Sequence, residues 1–324
     1  MDSKMAAIEN VKNTNNGFEF YCELRNVPVT FVNAIRRTVL SGIPTVVVRD
    51  ISILENTTQL PHEMLKHRME MLPINVLPED STTVRDAKLE LRILQNDKDR
   101  IVTTDDFVVE SGRENLIMKD RDLNTPIIFV KLRPGEKIHI RASLAIETQN
   151  VSQVCNATTG WKVDKDQAEK SKKVYVEDGG DPRAFDNFYV QKLFHKDENG
   201  RPNWFELTVE SIGVMKSKDI IKIAMAVLRK KLNDYMKEAF ENIRREQDEG
   251  SYSISLEQGG HTLGALLQEV IYSDKNVKFV AYDIPHPLRN TMVLRFNTSK
   301  TPESILRTAK ETIEEYCSVV EKVL

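Results

Sequence analysis

The chain has 324 residues, room for about two domains, and its 40% hydrophobic and 29% charged residues are those of an ordinary globular protein. Lys and Arg total 46 against 49 Asp and Glu, a formal net charge of -3, without the basic excess expected of a freestanding binder of phosphate-rich nucleic acid. Cys22, Cys155 and Cys317 lack metal-ligand or disulfide-framework spacing, no secretory signal opens the chain, and no run of about 18 apolar residues predicts a membrane span, so it reads as intracellular and reduced.

Residues 1–16 are polar and Asn-rich, which predicts a frayed end. Phe18, Phe20 and Cys22 alternate with polar residues and predict a strand. In PVTFVNAIRRTVLSGIP, Val32, Ile35 and Val39 recur at helical spacing over 31–41, with Thr30 as the expected cap and Gly42 and Pro44 as the stop. A strand with Val46, Val48, Ile51 and Ile53 follows, then a short helix in TTQLPHEMLKHRMEMLPI. From Ala87 to Trp204 short alternating strands dominate, with a turn at Arg133-Pro134-Gly135-Glu136 and a mixed-charge loop at WKVDKDQAEKSKK. One long helix is predicted over 218–247, with Ile220, Ile221, Ala224, Val227, Leu228, Tyr235 and Phe240 on its apolar side and Lys231 interrupting it. A compact unit closes the chain: a strand in SYSISLEQ, a helix in HTLGALLQEVIYS, two more strands, and a helix over 302–324 marked by Ile305, Leu306, Ala309, Ile313, Tyr316 and Val320.

The two ends echo each other at an offset of 231 residues: Val32 falls on Leu263, Ala34 on Ala265, Ile35 on Leu266, Val39 on Val270 and Leu40 on Ile271. The match runs without a gap into the next strand, Val46 on Val277 and Val48 on Phe279, and only Arg36 against Leu267 reverses polarity in the helix. Two related halves of this kind pair about a pseudo-two-fold axis, as an isologous dimer built within one chain.

The motif FVNAIRRTVLSGIPTVVVRDISILENT, LPHEMLKHRMEMLPI after it, and WFELTVESIGVMKSKDIIKIAMAVLRKKL resemble the alpha-type assembly subunit of multisubunit RNA polymerases, closest to the archaeal D and eukaryotic third-largest subunits. HTLGALLQEVIYSDKNVKFVAYDIPHPLRNTMVLRF is similar to their small partner, archaeal L and its eukaryotic equivalent. The resemblance covers roughly 17–324 and implies a fusion of two normally separate chains, an arrangement similar to that of certain large nucleocytoplasmic DNA viruses. It implies an α+β fold of two pseudo-symmetric dimerisation halves, long helices on antiparallel sheet, with an inserted mostly-β domain. The expected boundaries are a flexible 1–16, a discontinuous alpha-like domain over 17–50 and 205–249, an inserted domain over 51–204, and a small-partner-like domain over 250–324.

The resemblance further implies a non-catalytic platform on which the largest and second-largest polymerase subunits assemble with other small subunits, with DNA reached only through the complex. No separate small dimerisation partner is needed and no membrane is involved. A viral owner would place it in a replication factory and virion, a cellular one in the nucleus or cytoplasm. By match to the family motif, Asn33, Arg36, Arg37, His67, Arg68 and Pro73 are the expected large-subunit interface. Val32, Ile35, Val39, Val227, Leu263, Leu266, Val270, Ile313 and Val320 are the expected pseudo-dimer seam. His261, Thr262, Leu263 and Gly264 open the pairing helix of the small half, and Pro285, His286 and Pro287 match its turn. Many relatives carry a cysteine cluster for zinc or iron–sulfur in the inserted domain. Only Cys155 lies between Leu72 and Trp204 here, so no cofactor is expected.

Other residues admit blander readings. His261 and His286, near a helix start and a Pro turn, read as structural, and His62 and His67 miss the i, i+4 ligand spacing. Gly259-Gly260 lacks a Gly-Lys-Ser/Thr continuation and reads as a turn. Arg36 and Arg37 fit either a solvated face or guanidinium forks for a large partner. The alternative from another class, a stand-alone nucleic-acid-binding α+β module, rests on lysines near 162–173 and 229–231.

Overall fold

The computed structural model describes residues 5–95, 97–110, 115–148 and 154–324. The first elements in chain order are β1 (Ala7–Thr14), β2 (Glu19–Arg25), α1 (Val29–Ser41), β3 (Thr45–Asn56), α2 (His62–Glu70) and α3 (Ser81–Asp86). Next come β4 (Lys88–Ile93), β5 (Arg100–Thr103), β6 (Val108–Glu110), β7 (Ile128–Leu132), β8 (Ile138–Glu147), β9 (Cys155–Trp161), α4 (Lys165–Glu177) and α5 (Pro182–Ala184). The last are β10 (Trp204–Ser211), α6 (Ser217–Glu241), β11 (Arg244–Arg245), β12 (Ser251–Leu256), α7 (Gly260–Tyr272), β13 (Val277–Asp283), β14 (Met292–Thr298) and α8 (Pro302–Glu321). Contacts divide them into one unit of Met1–Val39, Ala157–Val209 and Ile221–Leu324, and a second of Leu40–Asn156 and Glu210–Ile220.

The first unit contains the same motif twice. Its sheets have the orders β1-β2-β10-β9 and β11-β12-β14-β13, so strand, strand, helix, strand, strand, helix repeats in both chain order and sheet order. α1 and α7 each have 13 residues, and their limits coincide at the 231-residue offset. Phe205, Leu207, Val209 and Ser211 of β10 are buried in alternation, as are Met292, Leu294, Phe296 and Thr298 of β14. Period-two burial puts one face of each sheet inward.

The helical part of the echo therefore reflects a real repeat, but its strand part does not. The counterpart of β13 is β9. β3, which the ungapped offset aligns with β13, pairs with β8 in the second unit. The chain leaves the motif after α1 and returns to it only at β9. Any alternating apolar strand can be registered on another, because both have period two. Burial separates them: Val48 is fully buried, whereas Phe279 is 54% exposed on an outer strand.

Four further expectations differ from the structure. Residues 7–14 are not frayed but pair antiparallel with β2, through a reversal at Asn15 and Asn16, both with positive φ. Backbone pairing needs no apolar side chains, so composition hid this strand. Part of the stretch expected as a mixed-charge loop is α4, capped by Asp164, whose carboxylate accepts from the Gln167 N–H at 3.1 Å. α6 stops at Glu241 rather than at 247: the Asn242 side chain donates to the Glu238 carbonyl at 2.8 Å, and Arg244–Arg245 then pair with β12. The insertion limits also move: 157–204 belongs to the first unit because β9 joins its sheet.

The second unit is built on the sheet β3-β8-β4-β6 and the ribbon β5-β7. Val46, Val48, Leu65, Met69, Leu89, Leu91, Ile138 and Ile140 are among its core residues, and burying each large side chain contributes about 1.5–3 kcal/mol. Arg49 binds Glu147 through two bonds of 2.8 Å and approaches Glu70 at 3.3 Å. The turn expected at Arg133–Glu136 is present, closed by the Glu136 N–H on the Arg133 carbonyl at 3.1 Å.

Candidate functional site

Pro28, which precedes α1, has no side-chain oxygen to accept a bond from the first turn. Thr30 lies inside the first turn, which the Pro28 carbonyl starts by accepting from the N–H groups of Phe31 and Val32. The carboxylate that meets this end comes from α7. Glu269 Oε2 accepts from the Thr30 hydroxyl at 2.6 Å and from the Thr30 N–H at 3.4 Å. An acid at a helix N-terminus satisfies orphan donors and complements the helix dipole. At the other end of the pair, Arg37 Nε donates to Thr262 Oγ1 at 2.8 Å. The start of α1 thus meets the end of α7 and the reverse, an antiparallel crossing whose midpoint falls at Ala34 and Ala265.

Two more contacts widen the seam. Phe31 of α1 and Tyr316 of α8 are 5.3 Å apart between ring centroids. Arg229 of α6 donates to Ser318 Oγ at 2.8 Å and to Glu321 at 2.9 Å on α8. Of the expected seam residues, Val32, Ile35, Val39, Leu263, Leu266, Val270, Ile313 and Val320 are buried, and Val227 is half-buried on α6. Gly259, before α7, has a φ of 111°, and a Cβ there would lie 2.6 Å from Met292 Cε, so the Gly-Gly step is a close approach of backbone to core.

A polar cluster fixes the first sheet. The Lys162 ammonium bonds Glu23 at 2.7 Å and Glu206 at 2.8 Å, and the Tyr21 hydroxyl donates to both carboxylates. Burial opposes ionisation of Glu23, but Lys162, Tyr21 and Asn10 outweigh it and hold its carboxyl below the usual range. The Tyr21 hydroxyl is pushed up to about 12, by burial first and then by Glu23 and Glu206. Cys22, Cys155 and Cys317 are buried, and burial raises each thiol to about 12, so none offers a thiolate nucleophile.

The expected large-subunit residues fall into two patches, one in each unit. In the first, Asn33 is exposed and Arg36 half-buried, with Arg36 donating to Asn33 Oδ1 at 3.0 and 3.2 Å. Arg37, expected in the same patch, instead donates through Nε to Thr262 on α7. In the second, His67 is exposed. Arg68 donates to the carbonyls of Phe129 at 2.8 Å and Ile128 at 3.1 Å, and so ties α2 to β7. Pro73 is half-buried beside a groove of about 820 Å³ that Met71, Met118, Arg121 and Ile212 also line. His261 stands edge-on to Tyr282, and His286 Nδ1 accepts from the Leu288 N–H at 3.1 Å, neither arranged for acid–base work. Among the described residues, no group of three or more His, Cys, Asp or Glu could hold a metal ion, and no helix is long and apolar enough to cross a membrane.

Family models of the RNA polymerase Rpb3/Rpb11 dimerisation domain match this chain twice, over residues 22–232 and 251–323. The chain belongs to the RNA polymerase Rpb3/Rpb11 dimerisation family. The matches fall one on each copy of the motif, so both members of the pairing are in one polypeptide. The DNA-directed RNA polymerase subunit Rpo3 of Pyrococcus furiosus is 26% identical over 247 residues, covering 66% of this chain and 90% of its own length. That of Methanocaldococcus jannaschii is 26% identical over 237 residues, covering 72% and 97%. The DNA-directed RNA polymerases I and III subunit rpac1 of Dictyostelium discoideum is 26% identical over 275 residues, covering 66% and 77%.

Sequence reading missed Glu269 and Arg229, and placed Thr262 at the start of the pairing helix without its partner Arg37. Arg229 alone left a trace, as a cation beside the apolar stripe of α6. The others acquire a role only from what stands opposite them.

Proposed function

We propose that the protein is a non-catalytic assembly subunit of a DNA-directed RNA polymerase, an Rpb3/Rpb11-type pair made within one chain, on which the largest and second-largest subunits assemble. The observation that carries this reading is the antiparallel α1–α7 crossing, with Thr30 on Glu269 and Arg37 on Thr262. It supplies from the same chain the contact that two separate subunits would otherwise make. Asn33 and Arg36 present one docking surface, for the second-largest subunit, and His67 with Pro73 presents another. DNA is reached through the complex, and the protein is located with the polymerase that contains it. A stand-alone nucleic-acid module is not favoured: Lys162 is held by Glu23 and Glu206, and Lys172 by Asp186.

Affinity purification from the native source, with mass spectrometry, is expected to recover two very large polymerase subunits and no separate small dimerisation partner. Repeated recovery without polymerase subunits would overturn the reading. Because pairing is intramolecular, the unfolding midpoint of the purified chain is expected not to change with protein concentration, unlike that of a two-chain dimer.

A further inference from the structure

α1 and α7 share one register, yet they meet their own sheets differently at a single position. In α7 that position is Gly264, where a Cβ would lie 2.5 Å from Tyr282 Cδ2 and 2.8 Å from Met292 Sδ. The missing side chain lets β13 and β14 close flush on the helix. In α1 the same position is Asn33, which is exposed. There β9 brings Thr159 and Gly160, not a tyrosine, and β10 brings Phe205 where β14 brings Met292. A cleft of about 340 Å³ is left open, bounded by Val29, Asn33, Thr159, Gly160, Trp161 and Phe205. Trp161 is 52% and Val29 40% exposed, and a Cβ added at Gly160 would meet nothing within 4 Å.

We propose that this cleft is a socket for one apolar side chain of the second-largest polymerase subunit, carried on an extended segment lying along β9. The inference rests on the platform reading and names how that surface is recognised. Three observations converge. The cleft is continuous with the Asn33–Arg36 patch, because Asn33 belongs to both. Its lining is mostly apolar, with Val29, Val32, Trp161 and Phe205 beside Thr30, Asn33 and Thr159, and its rim carries a half-exposed Trp, a residue type enriched among interface anchors. Its floor strand is the outer strand of its sheet, with backbone groups that an extended peptide can pair. Arg36 holds Asn33 Oδ1, which directs the Asn33 amide as a donor toward a partner carbonyl. At Gly264 itself the small half is closed; the cleft of about 390 Å³ between α7 and β13 lies farther along the helix, against Ala265, Gln268, Tyr272, Val280 and Tyr282, so a side chain seated beside Asn33 meets different walls in the two halves.

The test uses the full chain assembled with the two largest subunits. A photo-reactive benzophenone amino acid replacing Trp161 is expected to cross-link to peptides of the second-largest subunit. Adducts only with other subunits, or none, would overturn the socket. Trp161→Ala, and Thr159→Tyr, which fills the cleft as Tyr282 does in the small half, are each expected to lower retention of the second-largest subunit at least tenfold. The melting curve of the isolated chain is expected to stay unchanged, and a variant that melts early is set aside in favour of the cross-link. If wild type recovers both large subunits and the correctly folded variants do so equally well, the socket is wrong and the platform stands. If wild type recovers neither, both fall.

Discussion

The two copies of the motif differ most in what their first helix is allowed to touch. In the small half, β13 follows α7 after a short turn, and Gly264 lets Tyr282 and Met292 seal the helix onto its sheet. In the large half, the chain departs after α1 into the second unit and returns at β9, and Asn33 keeps the equivalent surface open. At this position the small half is closed and the large half is open. The apolar seam residues are alike in both copies, Val32 with Leu263, Ile35 with Leu266 and Val39 with Val270, while the polar residues at the ends of the seam are not.

The largest effect is expected where the copies are equivalent. Ile35→Asp and its counterpart Leu266→Asp place an unpaired charge at fully buried seam positions, and each is expected to cost about 3–5 kcal/mol. Equal losses in urea unfolding would sharpen the pseudo-symmetry, and a loss at only one site would break it. The next effect tests the asymmetry. Gly264→Asn forces a side chain into Tyr282 and Met292 and is expected to cost about 1–3 kcal/mol. The reverse change, Asn33→Gly, is expected to cost less than about 1 kcal/mol, from a small loss of helix propensity and of the exposed Arg36–Asn33 bonds. Comparable losses from the two would remove the distinction between a closed and an open half.

Smaller effects probe the links. Thr30→Val and Glu269→Gln are each expected to destabilise by about 1 kcal/mol, and a double-mutant cycle to give a coupling of about 0.5–1.5 kcal/mol. Additive losses would mean that the cap across the seam contributes nothing. The pH dependence separates the large half's sheet from the small half's. The folded-state pKa of Glu23 is depressed, so its contribution is present above the ordinary glutamate value and is lost as pH falls through the depressed one. Acid titration of the urea midpoint is expected to show this loss, and Lys162→Met to flatten it. An unchanged acid limb in that variant would assign the loss to other carboxylates.

Much of this architecture was legible in the chain. Apolar spacing located α1, α7 and α8, Gly and Pro located their ends, and the 231-residue offset tied α1 to α7. Failures came where local pattern underdetermines structure. β1 carries only Ala7, Ile8 and Val11 among polar residues, without strand alternation, and is held by backbone pairing with β2. α4 is capped by an Asp164–Gln167 pair that its charged surroundings masked. The false match of β3 with β13 arose because alternation carries no information about which sheet a strand joins.

The sequence by itself determined which helix faces are buried, that a motif occurs twice, and that no cysteine set could form a metal centre in the inserted region. Those properties follow from side-chain chemistry at fixed local spacing. Only the tertiary structure decided that β9 replaces β3 beside α1, that Glu269 caps a helix 239 residues away in the chain, and that Asn33 borders an open cleft where Gly264 permits a closed one. Each depends on which surfaces meet across long stretches of chain, and periodicity within one segment cannot encode what stands opposite it.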